Sequence, residues 1–170
     1  MAVPNFTTGA ALIQSDLQYM ITSKPVFYAY LSVAGSISLP VGASDQAIPL
    51  DTEVIDRYGA HAPGSTSYRI GVELGWYMVS GQVAFTFNST GQRTAVIYKN
   101  GFPLVESRAT IQAALALNAV VRTATIFVNS ATSTDYIELR GLQNSGSTLA
   151  TSTDSNSYGL CSMTVEYLGP

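Results

Sequence analysis

The stretch Ser157-Tyr-Gly-Leu-Cys-Ser-Met-Thr-Val-Glu-Tyr-Leu168 decides the fold of this 170-residue chain. From Cys161 onward, apolar and polar residues alternate, which is typical of a β-strand with one buried face. Only Gly169 and Pro170 follow. A final strand so close to the end of a chain is usually held inside a sheet, and we expect the same here.

Segments with the same alternation recur throughout the chain and are separated by turns rich in Gly, Asn and Ser. They leave room for only one helix, so the pattern predicts an all-β domain that is closed or sandwiched. We predict strands over residues 25–32, 46–55, 76–87, 93–98, 122–128 and 136–142, and over the closing stretch. Residues 110–117 fit either a strand or a helical turn, and residues 144–156 read as an exposed loop.

Composition excludes several classes of function. Charged residues make up 11% of the chain and the net charge is −3, so we expect no nucleic-acid binding. No apolar run is long enough to span a membrane, and the N-terminus lacks the pattern of a signal peptide. Few charges, ten tyrosines and a mean hydropathy of +0.20 indicate a surface that other copies of the chain cover.

One stretch favours a helix. Within residues 9–23, apolar residues at helical spacing form a single stripe, made of Ile13, Leu17, Met20 and Ile21. A lone helix of this length needs a surface to dock on. Its own β-domain is one candidate surface, and a neighbouring subunit or a larger particle is the other. We therefore divide the chain into an arm, residues 1–24, and a β-domain, residues 25–170.

No set of residues predicts catalysis or cofactor binding. Asp56, His61 and Ser65 lie close in sequence, but catalytic triads draw their members from separate elements, and no nucleophile elbow is present. Asp51, Glu53 and Asp56 offer too few converging oxygens for calcium. One histidine and one cysteine exclude an ordinary zinc site, and we expect Cys161 to be a small buried residue. The sequence predicts no enzyme and no metal site.

Four motifs then appear in a recognisable order. Gly75-Trp-Tyr77 resembles the entry to the central strand of the complement-globular-head and tumour-necrosis-factor-like jelly roll. Lys99-Asn-Gly101 resembles its Asn-Gly hairpin, and Asn-Gly is itself a strong hairpin signal. Thr134-Asp-Tyr-Ile-Glu-Leu139 and residues 158–168 resemble its last two strands. Thr134 and Tyr158 depart from the family pattern, which has Gly and Phe at these positions.

The resemblance implies an antiparallel two-sheet jelly roll of about eight to ten strands, assembled as a homotrimer. Tyrosine suits such an interface, because it buries a large area and keeps a polar tip. The interface candidates are Tyr28, Tyr30, Tyr98, Tyr136 and Tyr167.

The N-terminal stretch from Phe6 to Gln18 resembles the openings of many bacteriophage virion proteins, in which a short segment joins a surface domain to the capsid or tail. This resemblance implies a non-enzymatic virion component that is made in the host cytoplasm and displayed on the particle surface. Capsid decoration is the role that we favour for it. The arm would bind the major capsid or tail protein through its apolar residues, namely Phe6, Ile13, Leu17, Met20 and Ile21.

An alternative stays open. The same fold serves as a tail or head fibre module that recognises a host surface glycan or protein, and loops on a rigid β-scaffold often carry recognition. The candidate loops are residues 60–66 and 143–157, and the sequence names no ligand for them.

Overall fold

The computed structural model describes residues 26–32, 36–42, 44–57, 59–61, 68–69, 74–113, 117–152 and 159–169. The helix predicted over residues 9–23 and the rest of the arm lie outside these residues, as do Ser65 and Tyr158.

Within the described residues the chain forms strands and one short 3-10 turn, Val105–Ser107. The strands in chain order are β1 (Val26–Tyr30), β2 (Ser38–Leu39), β3 (Gln46–Ala47), β4 (Thr52–Asp56), β5 (Tyr68–Arg69), β6 (Gly75–Phe85), β7 (Gln92–Lys99), β8 (Phe102–Pro103), β9 (Ala109–Gln112), β10 (Ala119–Arg122), β11 (Ile126–Ser130), β12 (Tyr136–Gln143), β13 (Leu149–Ala150) and β14 (Ser162–Gly169).

Two antiparallel sheets form the jelly-roll sandwich, so the predicted fold class is confirmed. Sheet I has the order β10-β6-β14-β1-β4, and β11 pairs with the other half of the long strand β6. Strand β14 lies between β6 and β1, as its place in the sequence led us to expect.

Sheet II is built around β12 and β7, which pair from Ile137 with Lys99 to Gln143 with Arg93. Strands β3 and β5 flank β12, and strands β8 and β9 flank β7. The β7–β8 connection is the predicted Asn-Gly hairpin. Asn100 and Gly101 both have positive φ, at 52° and 79°, as such two-residue turns require.

The core lies between the sheets and follows the alternation of the strands. On β14 the side chains of Met163, Val165 and Tyr167 are buried, while Thr164 and Leu168 are exposed. Strands β1, β6 and β11 of sheet I extend this layer, and strands β7 and β12 of sheet II supply the facing layer of the same apolar cluster. One face of each sheet is thus buried in the core, and the other face points outward.

Two predicted strands are divided in the structure. Residues 122–128 belong to two strands, because Thr123 leaves the ladder and donates its backbone N–H to Gly81 O at 2.9 Å. Residues 46–55 also belong to two strands, β3 in sheet II and β4 in sheet I. Pro49 stands between them, where the chain crosses from one sheet to the other.

The predicted exposed loop at residues 144–156 is also corrected. Its middle forms β13, which pairs with β2, and Ser145, Thr151 and Ser152 are buried. The hydroxyl of Thr151 accepts a hydrogen bond from Ile37 N at 3.0 Å. Polar composition misled the prediction, because backbone pairing and side-chain hydrogen bonds hold this segment together with one buried apolar residue, Leu149.

Candidate functional site

The outward face of sheet I is the candidate site. The register places side chains across this face in rows, with Phe127 beside Met78 and Met78 beside Glu166. The next row towards the middle of the sheet runs from Ser80 through Thr164 to Tyr28. Each row crosses several strands, so residues far apart in sequence form one continuous surface.

One end of this face is apolar. Trp76 is 47% exposed, Phe127 is 64% exposed and Leu168 is 42% exposed, and Met78 is half-buried between them. We call these four residues the apolar patch. Large apolar side chains grouped on one sheet face are typical of a surface that another protein covers.

The tyrosine candidates fall into two groups. Tyr28 and Tyr30 are half-buried on the outward face of sheet I, beside Thr164 and Ser162. Tyr167 points the other way, into the core, where its ring lies 5.2 Å from that of Tyr77. Its hydroxyl donates to Leu74 O at 3.3 Å.

Tyr98 and Tyr136 belong to sheet II. The hydroxyl of Tyr98 donates to Asp45 Oδ2 at 2.5 Å, and the guanidinium of Arg140 stacks 4.2 Å above its ring. Burial raises the pKa of Tyr98, and the hydrogen bond to Asp45 and the charge of that carboxylate raise it further. Arg108 binds the same carboxylate at 2.7 Å, so these groups tie the segment around Asp45 to sheet II.

The middle of the outward face of sheet I is a polar depression of about 290 Å³. Its lining is Ser80, Gly81, Gln82, Arg122, Thr123, Thr125, Ser162 and Thr164. Arg122 Nε donates to Gln82 Oε1 at 3.3 Å, and Gln82 Nε2 donates to Leu160 O at 2.7 Å. The depression thus combines hydroxyl groups with one guanidinium.

The three acids considered for calcium have separate partners. Asp51 accepts hydrogen bonds from Ser32 N at 2.6 Å and from Ser32 Oγ at 2.7 Å. Burial alone would raise the pKa of Asp51, but these bonds outweigh burial and lower it. Asp56 accepts from the backbone of residues 60 and 61. Within the described ranges, no group of three or more acids, histidines or cysteines converges on a metal position.

His61 lies in a loop, as expected, but its side chain is fully buried. Its Nδ1 lies 2.6 Å from Glu53 Oε1, and its ring meets Phe27 edge-on at 5.5 Å. Asp56 contacts the backbone of residue 61 at 3.0 Å. The geometry therefore assigns His61 to the packing of β4 against β1.

Cys161 is buried, as predicted. Its Sγ accepts a hydrogen bond from Ala84 N at 3.3 Å, and burial raises the pKa of the thiol to about 12. A thiol in this state is an inert part of the core.

Sequence reasoning missed most of the candidate face. The alternation predicts that Trp76, Phe127 and Arg122 lie on strands. It does not place them on a common surface, because strand order and register decide which side chains become neighbours. The alternation along residues 76–87 was the available signal, since it separates Trp76 and Met78 from the buried positions.

Comparison of the fold with solved structures gives clear matches. The vertex protein P5 of PRD1 superposes with a TM-score of 0.57 at 14% identity, over 85% of this chain and 97% of that one. Murine APRIL, in its crystal structure at pH 8.5, superposes with a TM-score of 0.53 at 15% identity, over 84% of this chain and 98% of that one.

These likenesses concern the fold alone, which is a jelly roll. Neither neighbour is named as an enzyme. No family model and no curated protein matches the chain. The residues that the structure describes include no helix long and apolar enough to cross a membrane.

Proposed function

We propose that this chain is a non-enzymatic structural component of a phage virion, displayed on the particle surface as a homotrimer. Capsid decoration is the form that we favour. The outward face of sheet I, with its exposed Trp76 and Phe127, carries the proposal. The fold shared with a vertex protein and the virion-like N-terminal stretch support it.

Self-association would remove the apolar patch from water. Covering a large exposed side chain is worth about 2 kcal/mol, so the apolar patch offers several such contributions. Tyr28 and Tyr30 lie elsewhere on the same face, beside Thr164 and Ser162, and would extend the contact, as proposed from the sequence. The role proposed for residues 1–24 is to bind the major capsid or tail protein, which leaves the β-domain free to assemble.

The decisive experiment is the light-scattering mass of the full chain and of two variants. We expect the wild type to have three times the mass of the 18.0 kDa chain, and Trp76→Ser with Phe127→Ser to shift it toward one chain. Phe102→Ser is the matched control, since Phe102 is 74% exposed but lies on β8 in sheet II. A wild-type monomer, or equal loss in the control, would contradict the proposal.

Attachment to a host surface is a second candidate function, favoured by one observation. Phe102 and Val105, the latter 71% exposed, stand beyond the β7–β8 turn, whose Asn100 side chain is hydrogen-bonded to Asp135 at 2.9 Å. An exposed apolar tip on a rigid hairpin is typical of a binding surface. Saturable binding of the purified protein to host cells, lost in Phe102→Ser, would favour this function.

A further inference from the structure

We infer that the polar depression on the outward face of sheet I binds a small oxyanion, such as phosphate or sulfate, between copies of this chain. The inference rests on the proposed self-association, since a second copy is what would enclose the depression. The oxyanion would stabilise the assembly by compensating the charge of Arg122.

The position of the depression is the first step. It lies between the apolar patch and the two outward tyrosines, because Thr164 is paired with both Ser80 and Tyr28. Ser80 is two residues from Met78 along β6, a distance of roughly 7 Å. A second copy that covers both Phe127 and Tyr28 therefore also covers the depression that lies between them.

The second step is the charge that would be enclosed. Arg122 makes no ion pair with any residue that the structure describes, and its one hydrogen bond there, from Nε to Gln82, leaves both Nη groups available. Glu166 is an acid on the same face. It lies two strands and four residues from Arg122, a distance of roughly 16 Å. Enclosing a guanidinium without an anion is strongly unfavourable, so the interface needs negative charge at this place.

The third step is the chemistry of the lining. The hydroxyls of four residues form no hydrogen bond with the described part of the chain, namely Ser80, Thr125, Ser162 and Thr164. Hydroxyls and a guanidinium together are donors suited to an oxyanion, and a guanidinium binds such groups through two parallel bonds. A water molecule takes about 30 Å³ in the liquid, so the volume of about 290 Å³ holds an oxyanion with several waters.

The test measures the concentration at which trimers dissociate, in phosphate and in chloride of equal ionic strength. For the wild type we expect this dissociation concentration to be about tenfold lower in phosphate than in chloride. For Arg122→Gln we expect nearly the same dissociation concentration in the two salts. In chloride, the variant trimer should be at least as stable as the wild-type trimer. Arg57→Gln, which removes an exposed arginine beyond β4, is the control for charge loss and for general salt effects.

Each other outcome overturns the inference. A wild-type trimer that responds no more to phosphate than Arg122→Gln does needs no oxyanion. A variant that is weakened equally in both salts shows instead that Arg122 pairs with a carboxylate of the second copy. A wild type that is monomeric in both salts overturns the proposed function as well, so the two failures are distinguishable.

Discussion

Asp135 shows how single residues fasten the fold. Its buried carboxylate lies 2.9 Å from Lys99 Nζ and accepts hydrogen bonds from Asn100 Nδ2 and Ala131 N, both at 2.9 Å. Burial alone would raise the pKa of Asp135, but these donors, with Lys99 first, outweigh burial and hold the pKa well below its usual range. One carboxylate therefore joins the β7–β8 hairpin to the turn before β12.

This lowered pKa predicts acid sensitivity. A carboxyl group with a lower pKa in the folded state adds stability above its unfolded pKa of about 3.9, and that stability is lost as the pH falls below about 4. We expect Asp135→Asn to lower the free energy of unfolding by about 2 kcal/mol at pH 7. The loss should shrink between pH 5 and pH 2, as urea unfolding at several pH values will show.

Glu106→Gln is the control, because Glu106 is exposed on the 3-10 turn. An Asp135→Asn variant whose deficit stays constant from pH 7 to pH 2 would contradict the role given to the ionised carboxylate.

Arg93 shows what residue patterns conceal. It stands at the start of a predicted strand, yet its side chain is fully buried, and burial lowers its pKa. The guanidinium donates to the carbonyl oxygens of Asn88 at 2.9 Å and of Thr90 and Gln92 at 3.0 Å. No composition rule places a charged residue there, because the carbonyl oxygens that accept hydrogen bonds from its two Nη groups converge only in the folded chain.

Among the elements, β6 and β14 depend on one glycine. Gly75 begins β6 with a φ of +145°, and a Cβ atom there would lie 2.3 Å from Gly169 O and 2.7 Å from Tyr167 Cε2. The neighbouring backbone cannot withdraw without breaking the pairing of β6 with β14. Gly75 thus belongs to the motif for a packing reason.

We expect Gly75→Ala to lower the free energy of unfolding by more than about 3 kcal/mol, because the backbone strain of a positive φ adds to the collision of the new Cβ atom. Gly146→Ala is the matched control, because Gly146 also has a positive φ, of +85°, but has no atom within 4 Å of an added Cβ. Backbone strain alone should lower the free energy of unfolding of Gly146→Ala by about 1 kcal/mol. Urea unfolding of both variants checks the difference, and equal losses would contradict the collision.

The elements also show which parts of the fold a sequence can predict. Period-two alternation and the Asn-Gly turn predicted most of the strands and the hairpin, since both signals are local. The division of residues 122–128 was not predictable, because Thr123 interrupts the ladder by bonding to Gly81, a residue of another strand. Strand breaks set by such distant partners leave no mark in local alternation.

At the scale of the whole molecule, the candidate face joins residues from several strands. Tyr28 and Tyr30 could be assigned to one face of β1 from their spacing. Arg122 and Phe127 could not be placed beside them, because only the order of β10, β11, β6, β14 and β1 makes them one surface. The sequence thus predicts that a face exists, and the topology decides its composition.

Removal of residues 1–24 tests how the molecule divides its tasks. The described sandwich has its own core, so we expect the truncated chain to keep three times its own mass by light scattering. It should lose binding to phage particles, because the residues proposed to bind the particle, Phe6, Ile13, Leu17, Met20 and Ile21, are gone. A full-length chain carrying Ile13→Ser and Leu17→Ser is the control, and it should keep its mass and lose particle binding. A truncated chain that becomes monomeric would show instead that the arm holds the subunits together, and the proposed boundary between assembly and anchoring would fail.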